Sequence, residues 1–306
     1  MTPQITPSPA TGRLKADLTL LLVSIIWGSA FVAQRVAAEH MGVYLFNGLR
    51  FLLGALVLLP LALHRQTQGP RPTWKTLPWM LLAGALIFTG ASLQQLGMRY
   101  TTAGNAGFIT GLYVVLIPVI LAIGWQQPPR PAVWLAAALA TVGLFLLSTG
   151  GRFTLALGDA LELAGAFMWA FHVILIGWLV LRVGVPQLAV AQYLICALLS
   201  LLLSRLTENY SLLSVAGAWW TVVYTGIFSI GVGYTLQAVG QKVAPPADAA
   251  ILLSLEAVFA ALAGWLFLDE RLTVVQLVGC GLMLGGMLLA QAGAFISNRD
   301  KPVEPA

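Results

Sequence analysis

Apolar runs of about twenty residues alternate with short polar breaks along nearly the whole chain. A helix needs about 20 mostly apolar residues to cross the hydrocarbon core of a bilayer. Ten runs meet that criterion: 17–36, 43–63, 76–98, 103–124, 131–150, 158–181, 187–205, 214–241, 247–268 and 273–296. The breaks carry turn chemistry, as at Gly69-Pro70, Pro128-Pro129, Gly150-Gly151, Gly184 with Pro186, and Pro245-Pro246. The pattern predicts an all-α integral membrane protein with ten transmembrane helices.

The polar positions repeat. Asp17 and Trp27 recur 142 residues on as Asp159 and Trp169. Gln94, Gly97, Arg99 and Asn105 recur 143 residues on as Gln237, Gly240, Lys242 and Asp248, and Asn47 recurs 145 residues on as Gln192. Each repeat holds five runs, and an odd number of crossings forces the second copy into the membrane upside down. Two inverted five-helix repeats are the architecture of secondary transporters, with a site near the midplane where the halves meet. The expected division is a mobile tail (1–15), a first repeat (16–150), a second repeat (151–296) and a second tail (297–306); the Pro-, Ser- and Thr-rich ends cannot bury a core.

Basic residues orient the spans. One side collects Arg13, Lys15, Arg65, Arg71, Lys75, Arg130, Arg182, Lys242, Arg299 and Lys301; the other holds Arg35, Arg99, Arg152, Arg205 and Arg271. The richer side carries both ends of the chain, so both termini are expected in the cytoplasm of a multi-pass plasma (inner) membrane protein. The first run follows Arg13 and Lys15 as a secretory signal would. It continues to about Val36 without a small-residue cleavage site, which reads as an uncleaved first helix.

Composition agrees. Hydrophobic residues make up 59% and charged residues 9% of the chain, with a mean hydropathy of +0.87. Soluble domains carry about 25% charged residues. The net charge of +5 is dispersed between apolar runs rather than gathered into a nucleic-acid patch. Cys196 and Cys280 lie inside apolar runs and indicate neither a disulfide framework nor a zinc site. No phosphate-binding loop, zinc-protease helix or dinucleotide fingerprint occurs, so no catalytic residue, metal or cofactor is assigned. Gly231-Val-Gly233 is a fragment of such a fingerprint inside an apolar run and reads as a point of flexibility. Gly107 with Gly111, and Gly281 with Gly285, form small faces suited to helix packing, or less often to a homodimer.

Polar groups inside spans mark candidate chemistry, because they normally face the bundle interior or a wet cavity. Arg50 lies about seven residues into the second run, one turn beyond Asn47; it can snorkel, pair structurally or meet a substrate carboxylate. Glu256 lies mid-run in ILLSLEAVFAAL, and three roles stay open there: a coupling or gating proton carrier, a structural acceptor, or a partner of Arg50. His172 shares a helix face with Trp169, the repeat mate of Trp27, and Trp27, Phe31 and Gln34 run down the first span at helical spacing. Trp27, Asn47, Arg50, Gln94, Asn105, Trp169, His172, Gln192 and Gln237 therefore form the candidate substrate-binding set, with Glu256 the candidate coupling or gating group. Aromatic rings flanked by amides suit a small amphipathic solute.

WGSAF (27–31), NGLRF (47–51), TTAGNAGFITGLYVVLIPV (101–119) and PPADAAILLSLEAVFAALAGWLFLDERL (245–272) resemble the EamA family of the drug/metabolite transporter superfamily, over about residues 17–296. The resemblance implies ten helices, cytoplasmic termini and export of small metabolites such as amino acids without ATP. Members of the family commonly have proline after the glutamate of SLE, where this chain has Ala257, so the resemblance leaves a kink there in question. The expected function is a secondary transporter exporting small amphipathic solutes, not an enzyme. The competing class is a membrane-embedded enzyme or lipid-handling protein on the same scaffold, which should gather catalytic groups near one interface. Proton coupling and a homodimer stay open, and the expected partners are a small-molecule substrate and the bilayer.

Overall fold

The computed structural model describes residues 9–64, 70–100, 106, 109–126, 129–149, 157–209, 212–268 and 273–299. Of the expected tails (1–15 and 297–306), residues 1–8 and 300–306 lie outside the described residues, as do the candidates Asn105 and Gly107, whereas 9–15 and 297–299 are helical. Among the described residues all regular structure is helical. The helices are α1 (Pro9–His40), α2 (Val43–Leu63), α3 (Leu77–Gly97), α4 (Tyr113–Gly124), α5 (Pro131–Thr149), α6 (Leu157–Leu179), α7 (Val185–Thr207), α8 (Leu212–Gly217) and α9 (Trp219–Tyr224). A π-helix (Thr225–Tyr234) follows, then α10 (Thr235–Gly240), α11 (Pro246–Leu253), α12 (Glu256–Leu268) and α13 (Val274–Arg299). Helices satisfy every backbone group internally, as a segment within lipid must.

Seven helices among the described residues are long and apolar enough to cross a membrane, including the composite rods Trp219–Gly240 and Pro246–Phe267. Three more apolar helices, Ile109–Gly124, Pro131–Leu147 and Val274–Ala290, are shorter than that measure. Leu56, Leu61, Leu198, Leu202, Leu206, Trp265 and Phe267 are exposed on the outside of the bundle. An apolar exterior of this extent belongs against lipid, and the chain is a multi-span membrane protein.

Helix pairing follows the repeat. α2 packs on its repeat mate α7, and α5 on its mate α13. The contact of α3 with α6 is mirrored by that of the π-helix and α10 with α1, and α4 on α6 is mirrored by α11 and α12 on α1. Such exchange of partners is what a two-fold relation between the halves produces. At the α5–α13 contact it operates atom by atom: a Cβ on Gly143 would lie 2.6 Å from the Gly279 carbonyl oxygen, and one on Gly286 would lie 2.8 Å from that of Ala136.

Close approach of backbones is how helices associate without a hydrophobic driving force. A Cβ on Gly279 would meet the backbone oxygen of Gly143 and the backbone nitrogen of Leu147, both at 2.6 Å, and neither can swing away. Gly279→Ala is therefore expected to lower stability by about 1–3 kcal/mol, as overpacking does. Gly281 and Gly285 meet nothing within 4 Å and are exposed, so they do not form the packing face expected of them. Gly281→Ala should melt with the unaltered protein. Thermal unfolding of the two variants in one detergent checks both outcomes.

The helix ends fall on two faces. On one, the Gly184 amide donates to the Pro70 carbonyl at 2.9 Å, and Gln187 Nε2 donates to the Ala62 carbonyl at 2.9 Å. On the other, Arg99 Nη2 donates to the Met41 carbonyl at 3.1 Å. There too Glu208 accepts the Tyr44 and Leu45 amides at 2.9 and 2.8 Å, placing a carboxylate on the positive end of α2. The first face also carries an ion network. Arg13 pairs with Asp17 at 2.9 Å and with Asp248 at 3.0 Å, while Arg130 reaches the same Asp248 oxygen at 2.7 Å.

Candidate functional site

Two irregular stretches shape the centre of the bundle. Between α11 and α12 the helix tightens at Ser254–Leu255, where the Leu255 and Ala257 amides donate three residues back to Leu252 and Ser254, each at 3.2 Å. The break occurs although position 257 is alanine rather than proline, and it leaves Glu256 at the start of α12. The π-helix is the second irregularity. π-turns are rare and concentrate at functional sites. This one ends on Tyr234 and carries Ser229 and Ile230 into the same space. Gly233, expected to mark flexibility, instead makes room for Trp27: a Cβ there would lie 2.5 Å from Trp27 Nε1. That indole nitrogen donates to the Ser229 carbonyl at 3.0 Å, tying α1 to the π-helix.

These elements enclose a cavity of about 50 Å³. Of the ten candidate residues, Trp27, Arg50, Gln94, Trp169, His172, Gln237 and Glu256 line it, as do Phe31 and Gln34. Two candidates stand one layer behind. Asn47 is fully buried and accepts from Arg50 Nε through its Oδ1 at 3.0 Å. Gln192 accepts from His172 Nε2 through its Oε1 at 3.0 Å. Asn105 lies outside the described residues.

Residues that the sequence reading did not single out complete the wall. Tyr234 is the hub of its rings, with centroids 4.7 Å from Trp27, 6.1 Å from Phe51 and Trp169, 6.0 Å from His172 and 6.2 Å from Tyr193. Tyr113 donates its hydroxyl to Glu256 Oε1 at 3.1 Å. These two residues are themselves 143 apart. The same spacing relates Gln94 to Gln237 and Thr110 to Leu253, and 142 relates Trp27 to Trp169 and Phe31 to Val173. All five pairs face the cavity, so it lies on the two-fold relation between the repeats. Carrying the offset back from Glu256 would have found Tyr113 in the sequence. Nothing comparable marked Tyr234, whose repeat position holds Ala91.

The electrostatics are unusual for an apolar bundle. Arg50 is 3% exposed and does not snorkel; its guanidinium lies over the Phe46 and Phe51 rings at 4.8 and 5.3 Å. Glu256 is 5% exposed. Each is held by a neutral partner, Asn47 and Tyr113 respectively. Among the described residues no carboxylate lies within ion-pair distance of Arg50, so the Arg50–Glu256 pair left open by the sequence does not form. Four lining residues also keep a buried polar atom without a protein partner among the described residues: Gln34 Oε1, Trp169 Nε1, His172 Nδ1 and Gln237 Oε1. Buried polar groups are nearly always bonded. Here residues carrying unpartnered acceptors and donors line one space, which makes the cavity chemically suited to a small solute carrying both kinds of group. A further carboxylate, Glu162, is fully buried behind the wall and accepts the Thr110 hydroxyl at 2.9 Å.

The described chemistry has relatives. The model of the EamA-like transporter family matches the chain twice, at residues 14–149 and 156–291. An "Uncharacterized transporter" of Archaeoglobus fulgidus is 32% identical over 277 residues, covering 90% of this chain and 86% of that protein. "Uncharacterized transporter YvbV" of Bacillus subtilis is 26% identical over 95% of this chain and 98% of its own length. The "Uncharacterized inner membrane transporter YedA" of Escherichia coli is 22% identical, covering 94% of each. A solved structure titled only "Crystal structure of protein" superposes with a TM-score of 0.77 over 94% of this chain and 99% of that one, at 20% identity, which speaks to fold alone.

Proposed function

Because this chain belongs to the EamA-like transporter family, we propose that it is a secondary carrier exporting small amphipathic, amino-acid-like solutes by alternating access at the central cavity. The observation that carries the proposal is the composition of that cavity. One cation from the first repeat, Arg50, and one carboxylate from the second, Glu256, face the same space, neither paired with the other, between Trp27, Trp169 and Tyr234. A zwitterion supplies the complement: its carboxylate to Arg50, its ammonium to Glu256 and its apolar part to the rings. Lining by both repeats supports alternating access, because tilting one half against the other would open the cavity to either face in turn.

The ligand arm of the test is a thermal-shift screen of the purified protein against zwitterionic amino acids, purines and cationic amphiphiles, followed by liposome uptake of the compound that stabilises most. Amino acids should stabilise the protein, and Arg50→Gln and Trp169→Ala should each abolish the shift measured against the variant's own unliganded melting temperature. Stabilisation by cationic amphiphiles alone, or undiminished shifts in both variants, contradicts the assignment.

We place ten spans in the membrane as inverted halves with both termini in the cytoplasm, supported by the basic bias and by the gathering of Arg13, Arg130 and Asp248 on one face. Single cysteines at Thr2 and Ala306 should resist impermeant maleimides in intact cells, whereas one at Gly151 should react. Labelling of either terminus from outside overturns the orientation.

A further inference from the structure

A second and much larger space lies away from the central cavity. It has a volume of about 1470 Å³, beyond the roughly 300–1,000 Å³ of small-molecule clefts. α3 and α4 form its two walls, since each packs on α6 and the space runs between them. α6 supplies the floor with Phe171, Ile174 and Leu175, and the facing walls are Leu82, Leu86 and Leu121. This part is apolar throughout and offers nothing to a polar solute.

One end is different. Arg13, Arg130 and Arg182 converge there with the single carboxylate of Asp248, framed by Trp79, Trp125 and Trp178. Arg13 and Arg130 are committed to Asp248. Arg182 is exposed, its guanidinium lies 4.1 Å from the centre of the Trp178 ring, and its Nη1 donates to the Trp178 carbonyl at 2.9 Å. Those contacts hold the planar fork in place, and among the described residues no carboxylate claims its remaining donors. Trp79 packs against Trp178 with centroids 5.7 Å apart and ring planes tilted by 59°, completing an aromatic rim.

We propose that this groove binds one anionic glycerophospholipid, its phosphate on Arg182 and its acyl chains along the leucine and phenylalanine walls. The reasons are complementarity of charge and of shape. A guanidinium fork matches a phosphate in two parallel hydrogen bonds. Tryptophans favour the headgroup level of a bilayer, and basic pockets between transmembrane helices take anionic headgroups. The apolar length excludes a free phosphate as the natural occupant, and the open side between α3 and α4 admits a lipid laterally. The site is independent of the transported solute.

Native mass spectrometry of the detergent-purified chain tests it, with phosphatidylglycerol and phosphatidylcholine of identical acyl chains added in equal amounts. One phosphatidylglycerol per chain should survive activation while phosphatidylcholine is shed. Arg182→Gln should reduce the retained fraction about fivefold, the effect of about one interfacial charge. Arg35→Gln, at an exposed arginine away from the groove, should leave retention unchanged. Leu86→Trp, which fills the wall, should lower retention without touching the charge. Equal retention of the two lipids, or phosphatidylglycerol held as well by Arg182→Gln, overturns the proposal. So does phosphatidylglycerol bound only after removal of residues 1–8, which would assign the groove to the N-terminal segment.

Discussion

Glu256→Gln is expected to abolish proton-driven accumulation of the solute in proteoliposomes, while exchange without a gradient continues only at higher solute concentration, because the ammonium loses its carboxylate. The substitution keeps the side chain's shape and its acceptor for the Tyr113 hydroxyl, now 3.1 Å from Oε1, so packing at the α11–α12 break should survive. What it removes is the capacity to take up and release a proton. A carboxylate in a membrane interior that meets water in one state of the cycle and is shut off from it in the other is suited to couple the two. Flux is measured with the amino acid that stabilises the protein most, at several pH values with and without an imposed gradient. Tyr113→Phe provides the contrast: it leaves the carboxyl group and removes its donor, so accumulation should persist with an altered pH dependence. A Glu256→Gln carrier with undiminished and equally pH-sensitive accumulation would falsify the coupling role and leave the residue a structural acceptor.

The second large effect concerns Asp248. Its side chain is 3% exposed, forms an ion pair with Arg13 at 3.0 Å and accepts a hydrogen bond from Arg130 at 2.7 Å. Removing one partner of a buried ion network strands the others, at a cost of about 3–5 kcal/mol. Asp248→Ala should fall at the lower end of that range, because the Arg130 side chain is 34% exposed and can turn to water, and Asp17 remains for Arg13. Asp248→Asn, which keeps an acceptor, should cost less. Thermal unfolding in detergent reads both. The network also ties the start of α1 to the start of α11, which belong to different repeats. An Asp248→Ala protein that melts with the unaltered one would show that the network contributes no net stability.

The membrane fold was readable because hydrophobic length is a local property. A run such as Val43–Leu63 declares itself without reference to any neighbour, and the structure makes it a helix with those bounds. The repeat found four of the cavity's lining residues, Trp27, Gln94, Trp169 and Gln237, since equivalent positions on related halves return to the axis between them. Polarity inside a span found Arg50, His172 and Glu256. The sequence could also mark Asn47 and Gln192 as polar groups at matched heights. It could not tell that they would stand behind Arg50 and His172 as their acceptors, because which side chain reaches the cavity depends on helix rotation.

Three features were decided only by tertiary structure. The π-helix that aims Tyr234 depends on close packing against α1 and α2, where Gly233 admits Trp27 and Gly54 admits Ile230; no composition signal separates it from an ordinary apolar helix. The break before Glu256 forms without proline, so its cause is the packing around Ser254 and Leu255, which are 1% and 0% exposed. The third is the choice among glycines. Gly279 and Gly281 are two residues apart in one apolar helix, yet one touches a neighbouring backbone and the other faces outward. Hydrophobicity along the chain determines that each segment enters the membrane. The direction in which each face turns is set by the segments it meets there, and lipid outside gives a helix no polar side to signal that direction in advance.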